Sequence, residues 1–125
     1  MLDIDLFKQV NDRFSHQVGD EVLKQVAAVI KEELSPFDAE CARYGGEEFV
    51  MLFRDMSVVT ASELCDGIRS RISDADFGSL AQGLGVSVSI GLSDQLDVVS
   101  HEKMLSMADR SLYRAKNAGR NRISY

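Results

Sequence analysis

Arg-Tyr-Gly-Gly-Glu-Glu-Phe-Val, residues 43–50, places two glycines and two adjacent carboxylates between segments that both have the pattern of β-strands. The Gly-Gly pair supplies the positive φ angles that a two-residue hairpin turn requires, so we expect the chain to reverse there. The run at 49–53 is apolar on both faces and predicts a buried central strand. Glu47 and Glu48 then lie at the rim of a rigid sheet, where an unpaired carboxylate pair is costly unless a cation satisfies it. Taken alone, the stretch fits a tight hairpin with two solvated glutamates equally well.

A second acidic segment lies at the start of the chain. Leu2 and Ile4 alternate with Asp3 and Asp5, which predicts the end of a strand with one apolar face, and the chain then turns toward a helix. Carboxylates are the hard oxygen ligands that Mg²⁺ prefers, and backbone N–H groups in such a turn can cradle phosphate oxygens. Asp3 in isolation fits an exposed strand end. Two acidic rims in one small sheet could together hold a pair of metal ions.

The rest of the chain predicts alternating helices and strands. Helical periodicity predicts helices at 19–34, 58–73 and 101–117, with Gly119 as a stop for the last one. The alternation at 86–92 predicts a half-buried strand. The order strand, helix, strand, strand, helix, strand, helix predicts an α/β (α+β) fold with a ferredoxin-like βαββαβ core and an extra helix and strand.

Composition limits the function. The chain has 125 residues, of which 45% are hydrophobic and 27% charged, which suits one soluble α/β domain. The net charge of −6 argues against DNA or RNA as a partner. No apolar run is long enough for a membrane span and no signal peptide opens the chain, so we predict a cytoplasmic domain without membrane contact. Cys41 and Cys65 are predicted to be reduced core thiols, and His16 and His101 are too isolated for a zinc site.

Five blocks, at 3–12, 16–23, 42–49, 88–91 and 108–121, resemble those of the GGDEF domain, the catalytic module of diguanylate cyclases, in its GGEEF variant. The blocks follow family order and spacing and cover nearly the whole chain. The resemblance implies a fold like that of nucleotidyl cyclases and polymerase palms. It also implies that 1–125 is a single GGDEF domain, truncated at its N-terminus within the first strand, where family members carry residues that lead to an upstream sensor or regulatory domain, in some cases at the membrane.

The resemblance implies a specific reaction. Two GTP molecules are joined into cyclic di-GMP with release of two pyrophosphates, and each 3′-hydroxyl attacks the α-phosphate of the other nucleotide. Each domain binds one GTP, so catalysis requires a homodimer. The implied cofactor is Mg²⁺, two ions per active site with Mn²⁺ as an alternative, which lowers the pKa of the attacking hydroxyl and neutralises charge at the phosphate.

By the same resemblance, four residues form the metal and catalytic site. Asp3 binds metal through its carboxylate, and Ile4 binds it through its main-chain carbonyl. Glu47 completes the metal site and is the best candidate for receiving the hydroxyl proton. Glu48 is a second candidate, as a ligand or as a positioning group. Sequence does not divide the labour between two adjacent carboxylates that share an ion, because their protonation is coupled.

Four residues are implied to contact the phosphates of GTP. Phe7 does so through its backbone N–H, and Lys8 supplies a charge to the leaving pyrophosphate, which makes it a catalytic candidate as well. Lys116 and Arg120, four apart at the end of the last helix, could meet the γ-phosphate together. Outside this context Lys8 would be an ordinary solvated lysine. Outside this context Lys116 and Arg120 would be basic residues that interact favourably with the dipole at a helix C-terminus.

Asn11 and Asp20 are implied to recognise guanine. An Asp accepts from the N1–H and N2–H₂ edge that adenine lacks, and Asn can pair with N3 or O6, so a site with these partners disfavours ATP. The residues alone offer another role for Asp20, that of N-cap to the helix that follows it.

Two other functions stay open. One is a catalytically silent GGDEF module that binds GTP and serves as a dimerisation or regulatory domain, and the other is a cyclase that makes a cyclic mononucleotide. The chain keeps Asp3, Glu47 and Glu48, which degenerate members usually lose. Residues 35–40 lack the Arg-x-x-Asp at which many family members bind product, so we expect no tight product inhibition there. Both observations favour the enzyme.

Overall fold

The computed structural model describes residues 1–93 and 100–125. Five strands form one sheet, and they are β1 (Leu2–Ile4), β2 (Ala39–Gly45), β3 (Glu48–Phe53), β4 (Val88–Gly91) and β5 (Ile123–Ser124). Four α-helices accompany them, and they are α1 (Phe7–Arg13), α2 (His16–Leu34), α3 (Val58–Asp74) and α4 (His101–Asn117). A single 3₁₀ turn, Phe77–Ser79, follows α3 among the described residues.

The sheet has the strand order β2-β3-β1-β4-β5. Strand β1 pairs antiparallel with β3 on one side and with β4 on the other, while β5 joins the edge parallel to β4. The first four strands with α2 and α3 therefore form the predicted ferredoxin-like core, and α1, α4 and β5 are additions to it. The predicted mixed α/β fold class is confirmed.

The predicted helices are close to those observed. Helix α4 has the predicted bounds, and α3 ends one residue later than expected. Helix α2 begins at His16 rather than at residue 19, because the Oγ of Ser15 accepts a hydrogen bond from the N–H of Val18 at 3.2 Å and caps the helix there. None of the described helices combines the length and the apolar character that a membrane span requires.

The core lies between the sheet and the apolar faces of α2 and α3. Its fully buried side chains are Leu2, Ile4, Val22, Val26, Ile30, Cys65, Ile68, Ile72, Phe77, Val88 and Ile90. Burial raises the pKa of the Cys65 thiol to about 12, so this thiol stays protonated and packs as a small apolar group. The prediction that Cys41 is also a core thiol is wrong, because Cys41 is exposed on β2 at the edge of the sheet.

Strand β4 is more buried than its alternating sequence predicts. All four of its residues are buried, including Ser89, whose Oγ donates a hydrogen bond to the carboxylate of Asp5. Helix α4 packs against β4 at Gly91, which covers the face that we expected to be solvated. The Ser89 hydroxyl is therefore buried with its hydrogen bond made, although serine in an alternating pattern usually indicates an exposed face.

Strand β3 is less buried than its apolar run predicts. Phe49 and Met51 are buried, Val50 is half-buried and 46% of Leu52 is exposed. Strand β1 lies opposite only Glu48 and Phe49 of β3, and α4 packs on β4 and β5. The expectation of a strand buried on both faces is therefore wrong for the C-terminal half of β3.

Gly91 sets how closely α4 approaches the sheet, which gives a test of this packing. A Cβ atom at Gly91 would lie 2.1 Å from the backbone N of Leu112 and 2.2 Å from the carbonyl O of Ala108. Because helix backbone cannot move aside as a flexible side chain does, Gly91→Ala should lower the free energy of unfolding by about 2 kcal/mol or more. Urea unfolding followed by circular dichroism measures this change.

The matched control is Gly67→Ala on the exposed face of α3, where an added Cβ meets nothing within 4 Å. It should raise stability by up to about 1 kcal/mol, because alanine is the better helix former. Equal effects of the two substitutions would contradict the close approach of α4 to β4.

Candidate functional site

Asp3 lies in the middle of the sheet and is 5% exposed. In the register of the strands its Cα faces Glu48 of β3 on one side and Ser89 of β4 on the other. Residues directly opposite in an antiparallel pair place their side chains on the same face, so the carboxylates of Asp3 and Glu48 share one face of the sheet. Like charges in such a pair repel, and a cation between them removes that penalty.

The hairpin turn is displaced by one residue from its predicted position. Gly45 still pairs with Glu48, and the two turn residues are Gly46, with φ 46°, and Glu47. The β2–β3 register shifts between Arg43 and Gly45, and this extra residue in β2 moves the reversal toward the C-terminus. The prediction that the Gly-Gly pair forms the turn is therefore wrong, and Glu47 lies in the turn itself.

Two hydrogen bonds hold this turn in place. The N–H of Ile4 donates to the carbonyl O of Glu47 at 3.3 Å, which joins the turn to β1 beside Asp3. The Nε of Arg43 donates to the carbonyl O of Gly46 at 2.8 Å, which gives Arg43 a structural role in the hairpin. Glu47 and Glu48 are both half-buried. Asp3, Ile4, Glu47 and Glu48, the predicted metal and catalytic residues, are thus close together in the fold.

A lysine from α4 neutralises part of this negative charge. The Nζ of Lys116 lies 2.8 Å from the Oδ2 of Asp3. Burial raises the pKa of Asp3 above its ordinary value; the hydrogen bond from Lys116 opposes this, and the charges of Glu47 and Glu48 add to it. The ion pair therefore offsets the cost of burying the carboxylate only in part.

The donor set of this site fits a divalent cation. Carboxylate and carbonyl oxygens are the ligands that Mg²⁺ takes, and an ammonium group already contacts the carboxylate of Asp3. In 1–93 and 100–125, no three His, Cys, Asp or Glu side chains form a closed ligand cluster. The side chains of Glu47 and Glu48 would have to converge on Asp3 to complete one.

The turn from β1 into α1 is strained. Leu6 has φ 55°, in the left-handed region that a bulky residue rarely adopts, and its side chain is half exposed. Its carbonyl O accepts from the N–H groups of Gln9 and Val10 as α1 begins. Phe7 and Lys8 are the first two residues of that helix, where backbone N–H groups have no partner within the helix. The side chain of Phe7 is buried, so its backbone is the part that can meet a ligand, and Lys8 is exposed.

The predicted cations at the end of α4 lie in different surroundings. Lys116 is in the last turn of α4 and contacts Asp3, whereas Arg120 follows Gly119, the glycine predicted to stop the helix, and is exposed. Gly119 and Arg120 both have positive φ angles, of 117° and 62°. In the described part of the chain neither Arg120 nor Lys8 forms an ion pair.

Asn11 and Asp20 both lie near the contact between α1 and α2. A Cβ added to Gly19 would lie 1.9 Å from the Oδ1 of Asn11, so the Asn11 amide packs directly on the backbone of α2. Asp20 is the next residue and is exposed. The N-cap role for Asp20 is wrong, since Ser15 caps α2 five residues earlier. Asp20 also lines a groove that runs between α2 and β2 toward Arg43.

The structure adds one residue that the sequence did not single out. Asp5 is 7% exposed, and its carboxylate accepts hydrogen bonds from the hydroxyls of Ser87 and Ser89 and from the N–H of Asn121. The sequence shows Asp5 only as the next polar position after Asp3. Its partners lie 82, 84 and 116 residues away along the chain, and no local pattern connects them.

Comparison with known proteins gives consistent matches. The family model described as diguanylate cyclase, GGDEF domain, matches residues 1–122. Diguanylate cyclase A of Treponema denticola is 37% identical over 125 residues, which is 99% of this chain and 33% of that protein. Response regulator PleD of Caulobacter vibrioides is 39% identical over 127 residues, covering 98% of this chain and 28% of that protein. The chain thus spans about a third of the length of these relatives.

Solved structures agree. The active GGEEF domain of a diguanylate cyclase from Vibrio cholerae has a TM-score of 0.87 and 34% identity, with 98% of this chain and 78% of that chain covered. The GGDEF domain of DgcB from Caulobacter crescentus, in complex with c-di-GMP, has a TM-score of 0.88 and 35% identity, with coverages of 98% and 73%. With its sheet, its acidic turn and the match over 1–122, the chain belongs to the GGDEF family of diguanylate cyclase domains.

Proposed function

We propose that this chain is a catalytic domain that condenses two GTP molecules into cyclic di-GMP and releases two pyrophosphates. The observation that carries the proposal is the placement of Asp3 opposite Glu48, with Glu47 in the adjoining turn, in a member of the GGDEF family. Each domain would bind one GTP, so two copies would face each other. In the full-length protein an upstream regulatory or sensor segment would control this pairing, and a solved relative does contain a coiled coil with its GGDEF domain.

Magnesium is the proposed cofactor, at two ions per site, with Mn²⁺ as an alternative. The carboxylates of Asp3, Glu47 and Glu48 and the main-chain carbonyl of Ile4 would hold it. When bound, the ion lowers the pKa of the attacking hydroxyl and neutralises charge on the phosphate. Glu47, half-buried in the turn, would receive the proton of the 3′-hydroxyl, and Glu48 is the second candidate.

The phosphates of GTP would lie between two parts of the fold. One is the start of α1, where the free N–H groups of Phe7 and Lys8 and the charge of Lys8 are available. The other is the end of α4, with Lys116 and Arg120. With the charge of Asp3 compensated by a bound cation, the ammonium group of Lys116 would be free to contact a phosphate oxygen. Positively charged side chains beside the leaving pyrophosphate would stabilise the negative charge that develops on it as the P–O bond breaks.

Guanine would bind at the contact between α1 and α2. Asp20 is exposed and not engaged as a cap, so its carboxylate can accept from the N1–H and N2–H₂ groups. Asn11 is held against Gly19 and offers both an acceptor and a donor. Adenine would leave these partners unpaired, which gives the preference for GTP.

Product formation tests the reaction directly. The purified chain is incubated with GTP and Mg²⁺ over a range of protein concentrations, and the products are identified by mass spectrometry. Cyclic di-GMP should appear and rise more steeply than protein concentration, because two domains must meet. Glu47→Ala should lower the rate by about 100-fold or more, since it removes a metal ligand and proton acceptor.

The matched control for this assay is Glu63→Ala, which removes an exposed carboxylate on α3 and should leave the rate unchanged. A cyclic mononucleotide as product would contradict the proposed reaction. GTP binding without any product at any concentration would favour the silent regulatory module instead.

Metal binding has a readout that does not depend on activity. Mg²⁺ or Mn²⁺ should raise the melting temperature of the wild-type chain, because ligands that bind only the folded state stabilise it. Asp3→Asn should melt higher than wild type without metal, since it removes a buried carboxylate whose burial is only partly compensated, and it should lose the response to metal. An equal metal response of the two proteins in differential scanning fluorimetry would show that the ion binds elsewhere.

Gly19 provides a test of the guanine site. Gly19→Ala should displace the Asn11 amide and weaken GMP binding about tenfold, or ~1.4 kcal/mol. The stability of the fold should change by less than about 1 kcal/mol, because the groups that must give way are the end of the Asn11 side chain and, by a few tenths of an ångström, the Phe7 ring at 3.2 Å, and alanine favours the helix. Calorimetric titration with GMP measures the affinity, with Gly67→Ala as the control that adds the same Cβ in open space. Unchanged GMP affinity in Gly19→Ala would remove Asn11 from the guanine site.

A further inference from the structure

We propose that Asp5 is a positioning residue that sets the distance between the two phosphate-binding parts of the site. It would do so by holding the loop after α4, which carries Arg120, against the turn between β1 and α1. The inference rests on the proposed function, since it assumes that a nucleoside triphosphate binds between these two parts. Asp5 itself would touch neither the substrate nor the metal.

The carboxylate of Asp5 accepts hydrogen bonds from three donors in two parts of the fold, the β4 segment and the loop after α4. Its Oδ1 accepts from the Oγ of Ser89 at 2.7 Å. Its Oδ2 accepts from the Oγ of Ser87 at 2.7 Å and from the N–H of Asn121 at 3.0 Å. Its own N–H donates to the carbonyl O of Ser87 at 2.9 Å. A buried carboxylate is costly unless such donors satisfy it, so the arrangement fixes β1, β4 and the loop relative to one another.

The loop that Asp5 holds is conformationally strained. Gly119, Arg120 and Asn121 are three consecutive residues with positive φ angles, of 117°, 62° and 45°. Two of them carry side chains, and such residues keep this conformation only where the surroundings impose it. The N–H of Arg120 donates to Ala115 O at 3.1 Å, and the Oδ1 of Asn121 accepts from Arg69 at 3.0 Å. These contacts tie the loop to α4 and α3, while the contact with Asp5 ties it to β1.

The position of Asp5 links this loop to the rest of the site. Asp5 is two residues after Asp3 and directly before Leu6, the strained residue from which α1 begins. Asp5 is therefore adjacent in sequence to the start of α1 and hydrogen-bonded to the loop that carries Arg120. If the Asp5 carboxylate were removed, Arg120 and Asn121 would relax toward ordinary φ angles. The guanidinium group of Arg120 would then move away from the phosphate-binding part of the site. The contact of α1 with α2, where guanine would bind, does not involve Asp5.

The test separates triphosphate binding from base binding. Affinities for guanosine 5′-(β,γ-imido)triphosphate and for GMP, both with Mg²⁺, are measured by calorimetry for wild type, Asp5→Ala and Asp5→Asn. Asp5→Ala should weaken the triphosphate about tenfold and GMP less than about twofold. Asp5→Asn should stay within about threefold of wild type for both, because its carbonyl oxygen can accept from Asn121 and Ser87 while its NH₂ group donates to Ser89.

The controls distinguish the inference from the function it rests on. Wild type that binds the triphosphate no better than GMP would overturn the proposed phosphate contacts and the inference with them. Wild type that prefers the triphosphate, with Asp5→Ala showing the same preference, would overturn the inference alone. Equal losses for both nucleotides in Asp5→Ala would also overturn it, because they would show a general structural role. Glu63→Ala should match wild type throughout.

A second variant and a second measurement cover the case in which Asp5→Ala fails to fold. Asp5→Ser keeps a polar group toward Ser87 and Ser89 but is too short for the loop, so it should show the same selective loss of triphosphate affinity. Amide hydrogen exchange of wild type tests the anchor itself. The Asn121 N–H should be protected, and exchange as fast as that of an exposed amide would overturn the inference.

Discussion

The burial of one carboxylate governs the arrangement of this domain. Asp3 lies in the middle of the sheet, opposite another acidic residue, and burial holds its pKa above the ordinary range. A buried carboxylate beside like charges is unfavourable, and natural proteins keep such groups where they bind a cation or take part in chemistry. The strand register, the hairpin and the lysine of α4 all converge on this residue.

Close backbone packing brings the compensating charge to Asp3. Gly91 lets the backbone of α4 lie directly on β4, and this places Lys116 at the end of the same helix within 2.8 Å of the Asp3 carboxylate. Asp5 then secures the chain that leaves α4. These contacts position Asp3 and Lys116 before any ligand arrives, whereas the side chains of Glu47 and Glu48 would still have to converge on Asp3 to hold a cation. In the proposed function, the ammonium group of Lys116 would leave Asp3 and contact a phosphate of GTP.

Local patterns predicted much of the fold, whereas the acidic site was assigned through the resemblance to the GGDEF family. Helical periodicity gave the bounds of α3 and α4, since each presents one apolar face to the core. Each acidic segment taken alone fits a solvated hairpin or an exposed strand end, and only the ordered blocks of the family resemblance assign both segments to one site. The strand register then brings the two segments together, since Asp3 of β1 faces Glu48 of β3.

What local patterns missed depends on pairing between distant segments. The hairpin turns at Gly46 and Glu47 because β2 contains an irregularity, and the register of a pair is a property of both strands. The partial exposure of Leu52 and the burial of Ser89 likewise depend on distant segments. Helices elsewhere in the chain determine which face of each strand is covered. Asp5 could not be identified, because its donors are remote in sequence.

The most direct measurement of the central claim is a crystal structure of the chain grown with Mn²⁺, with anomalous diffraction recorded at the manganese edge. The account predicts an anomalous peak at about 2.2 Å from a carboxylate oxygen of Asp3, with Glu47 or Glu48 as a further ligand and Lys116 withdrawn from Asp3. Manganese bound only at exposed acidic groups, with Lys116 still paired to Asp3, would contradict it.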